Sequence, residues 1–272
     1  MGGGEEELRS YIIKGGEEGR ARLSVLARVL APTTERLFDR FEPLKGRLAI
    51  DAGCGGGDVS FEIAERVGPH GRVVAIDLDE TKLVSARQEA ERRGASHVEF
   101  VKGSVIEPWP AASASFVYVR FVLTHLTEPE ALLARALEAM QSGGTIVVED
   151  IDFAGHFCDP HNDAFFRFTE LYVAAAKRRG ADAFIGRRLA RMLDTAGFAD
   201  VGSSLVQPYG RTDDVKEVTL MTLAAISDAV VASELATIKE MAELKAELHA
   251  FTARPDTTVS LPRIFQAWGR KP

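Results

Sequence analysis

The chain is expected to fold as an α/β protein: a mostly parallel sheet with helices on both faces and additional helices laid over one edge. Three observations carry this. Short β-branched runs alternate with amphipathic helical stretches from residue 47 to residue 149, and repeated βα units on short loops place helices on both sides of a parallel sheet. The first of these units is a strand, a glycine turn and a helix. Leu48-Ala49-Ile50 runs into Asp51-Ala52-Gly53-Cys54-Gly55-Gly56-Gly57-Asp58, and amphipathic residues 59–67 follow. Beyond residue 150 the alternation gives way to aromatic-rich helical segments, which a plain helix layer does not need.

The elements follow in order. Residues 17–41 read as helical, with Leu23, Leu26, Ala27 and Leu30 at i, i+3, i+4 and i+7. Pro32 is expected to break this helix, and Thr33-Thr34 to cap a second short one carrying Leu37, Phe38 and Phe41. Strand one is placed at 47–51 and its helix at 57–67. Strand two is placed at 72–77 and its helix at 80–93, which closes on Arg92-Arg93-Gly94, basic side chains and a glycine suited to a helix C-terminus. Strand three falls at 98–101, strand four at 115–119, a helix at 129–140 and strand five at 145–149. Helices are read at 160–181 and 186–196, and strand six at 201–207. A long helical stretch covers 213–253, broken near Ser227 and Ser233, and the last strand is 263–268. The chain therefore divides into a tail and helical segment (1–41), a core (42–154), a helical insertion (155–184), a core helix and strand (185–209), a second insertion (210–256) and a last core strand (257–272).

The 272 residues are 46% apolar and 27% charged, the composition of a soluble globular protein. The net charge of −7 argues against a duplex nucleic acid, which asks for a basic face. Arg92-Arg93, Lys177-Arg178-Arg179 and Arg187-Arg188 lie among helical residues and read as solvated faces. Cys54 and Cys158 form neither a metal spacing nor a disulfide framework. No run of about 18 apolar residues suggests a membrane span. Residues 1–7 are acidic and polar, unlike a signal peptide, and are expected to be disordered. A cytoplasmic protein is expected, with no membrane or nucleic-acid partner and with its oligomeric state open, a homodimer being one option.

The glycine turn carries the chemistry. Glycines allow a sharp turn and a close ligand approach, and the helix that follows offers free N–H groups. The dinucleotide pattern G-x-G-x-x-G fits poorly, because its third glycine falls on Asp58 or Ser60. What fits is D-x-G-x-G-x-G, formed by Asp51, Gly53, Gly55 and Gly57. This resembles motif I of the class I S-adenosylmethionine-dependent methyltransferases, and acids at Asp51 and Asp58 suit a ligand bearing an ammonium and a sulfonium.

The resemblance covers roughly residues 40–207 plus the final strand. It implies a Rossmann-like α/β fold, a seven-stranded mostly parallel sheet with helical lid insertions, whose last, antiparallel strand inserts beside strand six. By that resemblance Asp51, Gly53, Cys54 and Gly55 bind the cofactor, and Asp77, ending strand two, holds both ribose hydroxyls, since one carboxylate accepts two hydrogen bonds. Leu78 packs on the adenine. Gly103-Ser104-Val105 stands where relatives often carry Gly-Asp-Ala, so Ser104 replaces an acid that meets the adenine amino group. Trp109 follows, within reach of the adenine or simply packed. Backbone near Arg120 lines the methionine end, and the Arg120 side chain either pairs with a substrate carboxylate or sits in a salt bridge. Gln141-Ser142-Gly143-Gly144 resembles the turn before strand five.

The remaining helices resemble those of small-molecule methyltransferases. Tyr11 could fold over the cofactor, and Phe165, Phe168 and Tyr172, at i, i+3 and i+7, give one aromatic helix face to a lid. His125 is the base candidate, since histidine titrates near neutrality. His156, His161, Asp150 and Asp152 are alternatives. The acids and histidines of 149–163 lack metal-ligand spacing, and no metal is expected. The expected activity is methyl transfer from S-adenosylmethionine to an O, N or C nucleophile of a small molecule. A non-catalytic S-adenosylmethionine-binding protein and an NAD-dependent oxidoreductase are the alternatives.

Overall fold

The computed structural model describes residues 13, 16–41, 43–211 and 213–272; Tyr11 and the tail at 1–12 lie outside them. Seven strands form the main sheet: β1 (Leu48–Ala52), β2 (Arg72–Asp77), β3 (Val98–Lys102), β4 (Ala114–Arg120), β5 (Met140–Asp152), β7 (Ala199–Val206) and β10 (Arg263–Arg270), in the order β3-β2-β1-β4-β5-β10-β7. β1, β2, β3, β4 and β5 pair in parallel, and β10 runs antiparallel between β5 and β7. The central strands are apolar on both faces, as a doubly covered parallel sheet requires. Ile50, Ala52, Val117 and Val119 pack with Leu132, Leu133 and Leu193 of α4 (Pro129–Ala139) and α6 (Leu189–Ala196). Ala49, Phe116 and Tyr118 face the opposite layer, with Phe38 of α1 (Gly16–Phe38), Ile63 of α2 (Asp58–Val67) and Leu83 of α3 (Glu80–Arg93).

A third core lies beyond the C-terminal edge of the sheet. There α1 packs with α5 (Asp163–Arg178), α7 (Asp213–Ala232) and α8 (Ile238–Thr252) through Leu26, Leu30, Phe165, Phe168, Ile226 and Leu248. A small antiparallel sheet of β6 (Cys158–Asp159), β9 (Thr258–Ser260) and β8 (Tyr209–Gly210) ties this cover to the chain ends that enter it. Among the described residues no helix is long and apolar enough to cross a membrane.

Four local expectations are corrected. α1 runs unbroken through Pro32. An interior proline costs about 3 kcal/mol, but Leu30, Leu37 and Phe38 are at most 2% exposed, and each such burial returns about 1.5–3 kcal/mol. Thr33 and Thr34 do not cap a new helix; their hydroxyls donate back to the Leu30 carbonyl at 2.8 and 3.2 Å. Ser227 does not interrupt α7, because its hydroxyl donates to the Leu223 carbonyl at 2.8 Å within the helix. Residues 141–144 are not a turn ahead of β5 but its first residues, with a register shift against β4 and Gly143 N–H donating to Lys271 at 2.8 Å. The last core strand starts at Arg263, where the sequence places it, and Thr258–Ser260 ahead of it joins the small sheet.

The break between α7 and α8 ends in a capping box. Thr237 Oγ1 accepts from Glu240 N–H at 3.2 Å, and the Glu240 carboxylate accepts from Thr237 N–H at 2.7 Å. Thr237→Ala should cost about 1 kcal/mol, read as a fall of about 2–4 °C in the thermal midpoint. An unchanged midpoint would show that α8 is held by packing alone.

Candidate cofactor and acceptor site

The glycine turn sits at the C-terminal end of β1, where open α/β sheets bind ligands. Gly53, Gly55 and Gly57 adopt φ of +80°, +55° and +82°, a region that side chains disfavour. A Cβ on Gly53 would stand 2.3 Å from Val122 Cγ2, so glycine is also required by space. Gly53 and Cys54 N–H groups both donate to the Ile76 carbonyl, at 2.8 and 3.0 Å. The Asp77 carboxylate accepts from Gly55 N–H at 2.8 Å and from Asp79 N–H at 2.9 Å. Asp77 therefore shapes the turn, and each oxygen keeps a lone pair for a ligand.

Asp51 is 3% exposed and accepts from Ser60 Oγ at 2.5 Å. Burial raises its pKa to about 6, against the Ser60 bond and nearby Arg120. Arg120 Nη1 donates to Thr34 Oγ1 at 3.2 Å. Burial lowers its pKa, but Tyr118, Glu149 and Asp51 prevail and raise it. Glu149 in turn accepts from the Tyr118 hydroxyl and from Gln266 Nε2. Arg120 thus sits in the field of Glu149 and Asp51, with the Thr34 hydroxyl as its hydrogen-bond partner.

One cavity opens from this turn and continues under the helical cover. Its empty volume, with the open mouth and the solvent in it included, is about 1320 Å³. At the turn it is bounded by Asp51, Gly53, Cys54, Gly55, Asp58 and Asp77. α1 closes over that end. Arg20 Nη1 donates to Gly56 O at 2.9 Å, Gly16 N–H donates to Asp79 at 3.3 Å, and Leu23 lies where a Gly55 side chain would be. At the far end Ile151, Phe153, Phe168, Tyr172, Leu261 and Ile264 form an apolar chamber. Phe153 stacks on Tyr172 with ring centroids 3.8 Å apart and planes 8° from parallel, and His156 lies 4.4 Å from Phe153.

His125 lines the same cavity from a short 3-10 turn, Leu123–His125. The turn is held by Asp150, which accepts from Thr124 N–H at 3.0 Å. Burial first, then the charges of Arg22 and Lys82, lower the His125 pKa to about 3. Burial lowers that of His156 to about 4, against a bond to the Phe153 carbonyl and the nearby Asp152. Both are neutral at physiological pH and weak as bases there. Burial raises Asp150 to about 7, opposed by its backbone N–H bonds. Asp152 is occupied by Arg187 and Arg263, and His161 pairs with Asp163 at 3.0 Å on the surface.

Asp51, Gly53, Cys54, Gly55, Asp77, Arg120, His125, Phe168 and Tyr172 are thus brought to one cavity. Leu78, Gly103, Ser104 and Val105 are not on its wall. They sit at the tips of β2 and β3, where Gly103 N–H donates to the Asp77 carbonyl at 3.0 Å and Ser104 Oγ accepts from Ile106 N–H at 3.2 Å. Trp109 donates to the Val105 carbonyl at 3.0 Å and packs beside that loop. Phe165 is fully buried in the cover core and does not reach the cavity. Sequence reasoning missed Arg22, Thr219 and Thr222, which line it from α1 and α7. The only available signal was Arg22 on the leucine-rich face of α1.

A Rossmann-like sheet with an acid-lined glycine turn defines a nucleoside-cofactor enzyme fold of the methyltransferase type. Residues 44–193 match the family described as methyltransferase domain, and the chain belongs to it, within the class I S-adenosylmethionine-dependent methyltransferases. It is 28% identical over 197 residues to a demethylmenaquinone methyltransferase of Geobacillus kaustophilus, covering 64% of this chain and 79% of that protein. It is 31% identical over 166 residues to an uncharacterized 37.1 kDa protein in transposon TN4556 of Streptomyces fradiae, covering 60% of this chain and 46% of that protein. The chain thus spans less than half the length of that relative. Among solved structures, a geranyl diphosphate methyltransferase in complex with S-adenosylmethionine superposes with a TM-score of 0.54 at 15% identity, over 94% of this chain and 92% of the other; this similarity is one of fold.

S-adenosylmethionine is the family's cofactor, and the donor set fits it. Asp51, Asp58 and Asp77 face one end of the cavity, a setting that favours cationic groups over a diphosphate. The glycines leave the backbone open to close approach.

Proposed function

We propose that this protein methylates a small, largely apolar acceptor at an oxygen or carbon that ionises without a strong base. One observation carries the reading: a single cavity joins the acid-lined glycine turn to an aromatic chamber roofed by α1, α5 and α7. The kinship with a demethylmenaquinone methyltransferase supports a small-molecule acceptor. S-adenosylmethionine supplies a methyl group activated on a sulfonium. The protein's share is placement: Asp51 and Asp58 face the cationic end, Asp77 keeps lone pairs for the ribose hydroxyls, Phe153 and Tyr172 offer a flat face to the acceptor, and Leu23, Leu26 and Phe168 exclude water. Holding two reactants in line is worth about 7–11 kcal/mol in favourable cases. With pKa values of about 3 and 4, His125 and His156 act here as neutral hydrogen-bonding groups that orient the acceptor. That favours phenols, enols and acids over alkyl alcohols. The described parts of the segments at 8–41, 155–184 and 213–253 serve as the lid; residues 8–12, 14 and 15 lie outside the described residues.

The test is incubation with labelled S-adenosylmethionine and a panel of phenols, enols and amines, with products read by mass. Methylation of the first two classes is expected; tight NAD binding with no S-adenosylmethionine binding would overturn the proposal. His125→Asn should keep more than about a tenth of native kcat, because a true base contributes about 10²–10⁴-fold. The kcat profile should show no histidine inflection near pH 6.5. A hundredfold loss, together with such an inflection in the native enzyme, would restore His125 as the base.

A further inference from the structure

Arg22 is a cavity-lining cation whose Nε finds no hydrogen-bond partner among the described residues. Lys82 pairs with Asp79 at 3.4 Å, Arg20 donates to Gly56, and Arg120 lies beside Asp51 and Glu149. Arg22 differs. It projects from α1 into the cavity, and its Nε is buried. The groups it acts on electrostatically are Tyr172 and His125, both at the acceptor end. Neither supplies an anion. Burial pushes the Tyr172 phenol up, so it stays protonated, and His125 is neutral. Burial also lowers the Arg22 pKa, and the opposing influence comes from Tyr172, not from a carboxylate. Guanidinium nevertheless remains charged in proteins. A buried donor without a partner is costly, and the planar donor fork of arginine matches a carboxylate or phosphate in two places at once.

We propose that Arg22 is a specificity residue that pairs with a carboxylate on the acceptor, so that the substrate is an aromatic or otherwise apolar acid. The inference rests on the methyltransferase reading above and adds the substrate's charge to it. Arg22 sets the acid's position, while the stacked Phe153 and Tyr172 rings take its apolar body. A carboxylate also fits a site with no strong base, because it carries its charge into the chamber.

The experiment uses the full chain saturated with S-adenosylhomocysteine. The probes are benzoate, 1-hydroxy-2-naphthoate and decanoate, each against its methyl ester, measured by calorimetry. At least one acid should bind about ten-fold more tightly than its ester, the worth of a charged hydrogen bond. Arg22→Met should erase that preference, Arg22→Lys should retain part of it, and S-adenosylhomocysteine affinity should stay within about threefold in both. Arg22→Met without ligand should melt at or above the native temperature, since it removes a buried donor without a partner. If no acid outbinds its ester while S-adenosylhomocysteine binds normally, this inference falls and the methyltransferase reading stands. If Arg22→Met instead loses S-adenosylhomocysteine affinity, Arg22 serves the cofactor's own carboxylate and the inference is likewise overturned. If the native protein does not bind S-adenosylhomocysteine, both readings fail.

Discussion

Asp77→Ala is expected to weaken S-adenosylmethionine binding by about ten- to hundredfold, corresponding to the roughly 1.5–3 kcal/mol of a hydrogen bond to a charged group. The loss has two sources. The carboxylate's remaining lone pairs face the cavity, and its occupied ones hold Gly55 and Asp79 N–H groups at 2.8 and 2.9 Å. Alanine frees both donors and loosens the turn that must approach the cofactor. Asp77→Asn keeps one acceptor oxygen and should fall between the native and alanine proteins. Calorimetric titration decides it: alanine affinity within threefold of native would mean that Asp77 only shapes the loop.

Gly53→Ala should be the most damaging single-methyl change in the site. The new Cβ meets Val122 Cγ2 at 2.3 Å, and the backbone sits at φ +80°. Left-handed geometry for a non-glycine residue costs about 1–3 kcal/mol, and the clash adds to it. A fall in thermal midpoint of about 2–4 °C per kcal/mol is expected, together with loss of S-adenosylmethionine binding. Adding Val122→Ala opens space without relieving φ, so the double variant should recover in part, a coupling expected of residues in contact. Native stability and affinity in Gly53→Ala would remove the case for a tight glycine cradle. Gly68 offers the comparison: at φ +67° with nothing within 4 Å of its Cβ, alanine there meets only the backbone cost.

Much of the fold was readable because its signals are local. β2 and α3 fall at Arg72–Asp77 and Glu80–Arg93, the bounds expected from sequence, since Asp79 caps α3 through the Thr81 N–H at 3.1 Å and Gly94 ends it at φ +67°. The glycine turn and Asp77 were legible for the same reason: the residue types needed there are contiguous and chemically specific. The insertion of β10 between β5 and β7 came only through family resemblance, because its pairing partners lie over 50 residues away in sequence and nothing local specifies a register.

The site divides along the same line. The sequence by itself determined the acid-lined glycine turn, the order of βα units and the family, because a turn, a cap and a strand period depend on neighbours within a few residues. Tertiary structure alone decided that α1 passes through Pro32, that Phe165 is core while Phe168 and Tyr172 face the cavity, that burial lowers the His125 pKa, and that Arg22 lines the cavity with its Nε unpartnered among the described residues. Each of these depends on which faces of α1, α5 and α7 meet over the sheet edge. That choice is made by burial and desolvation among segments far apart in the chain, quantities that no local pattern encodes.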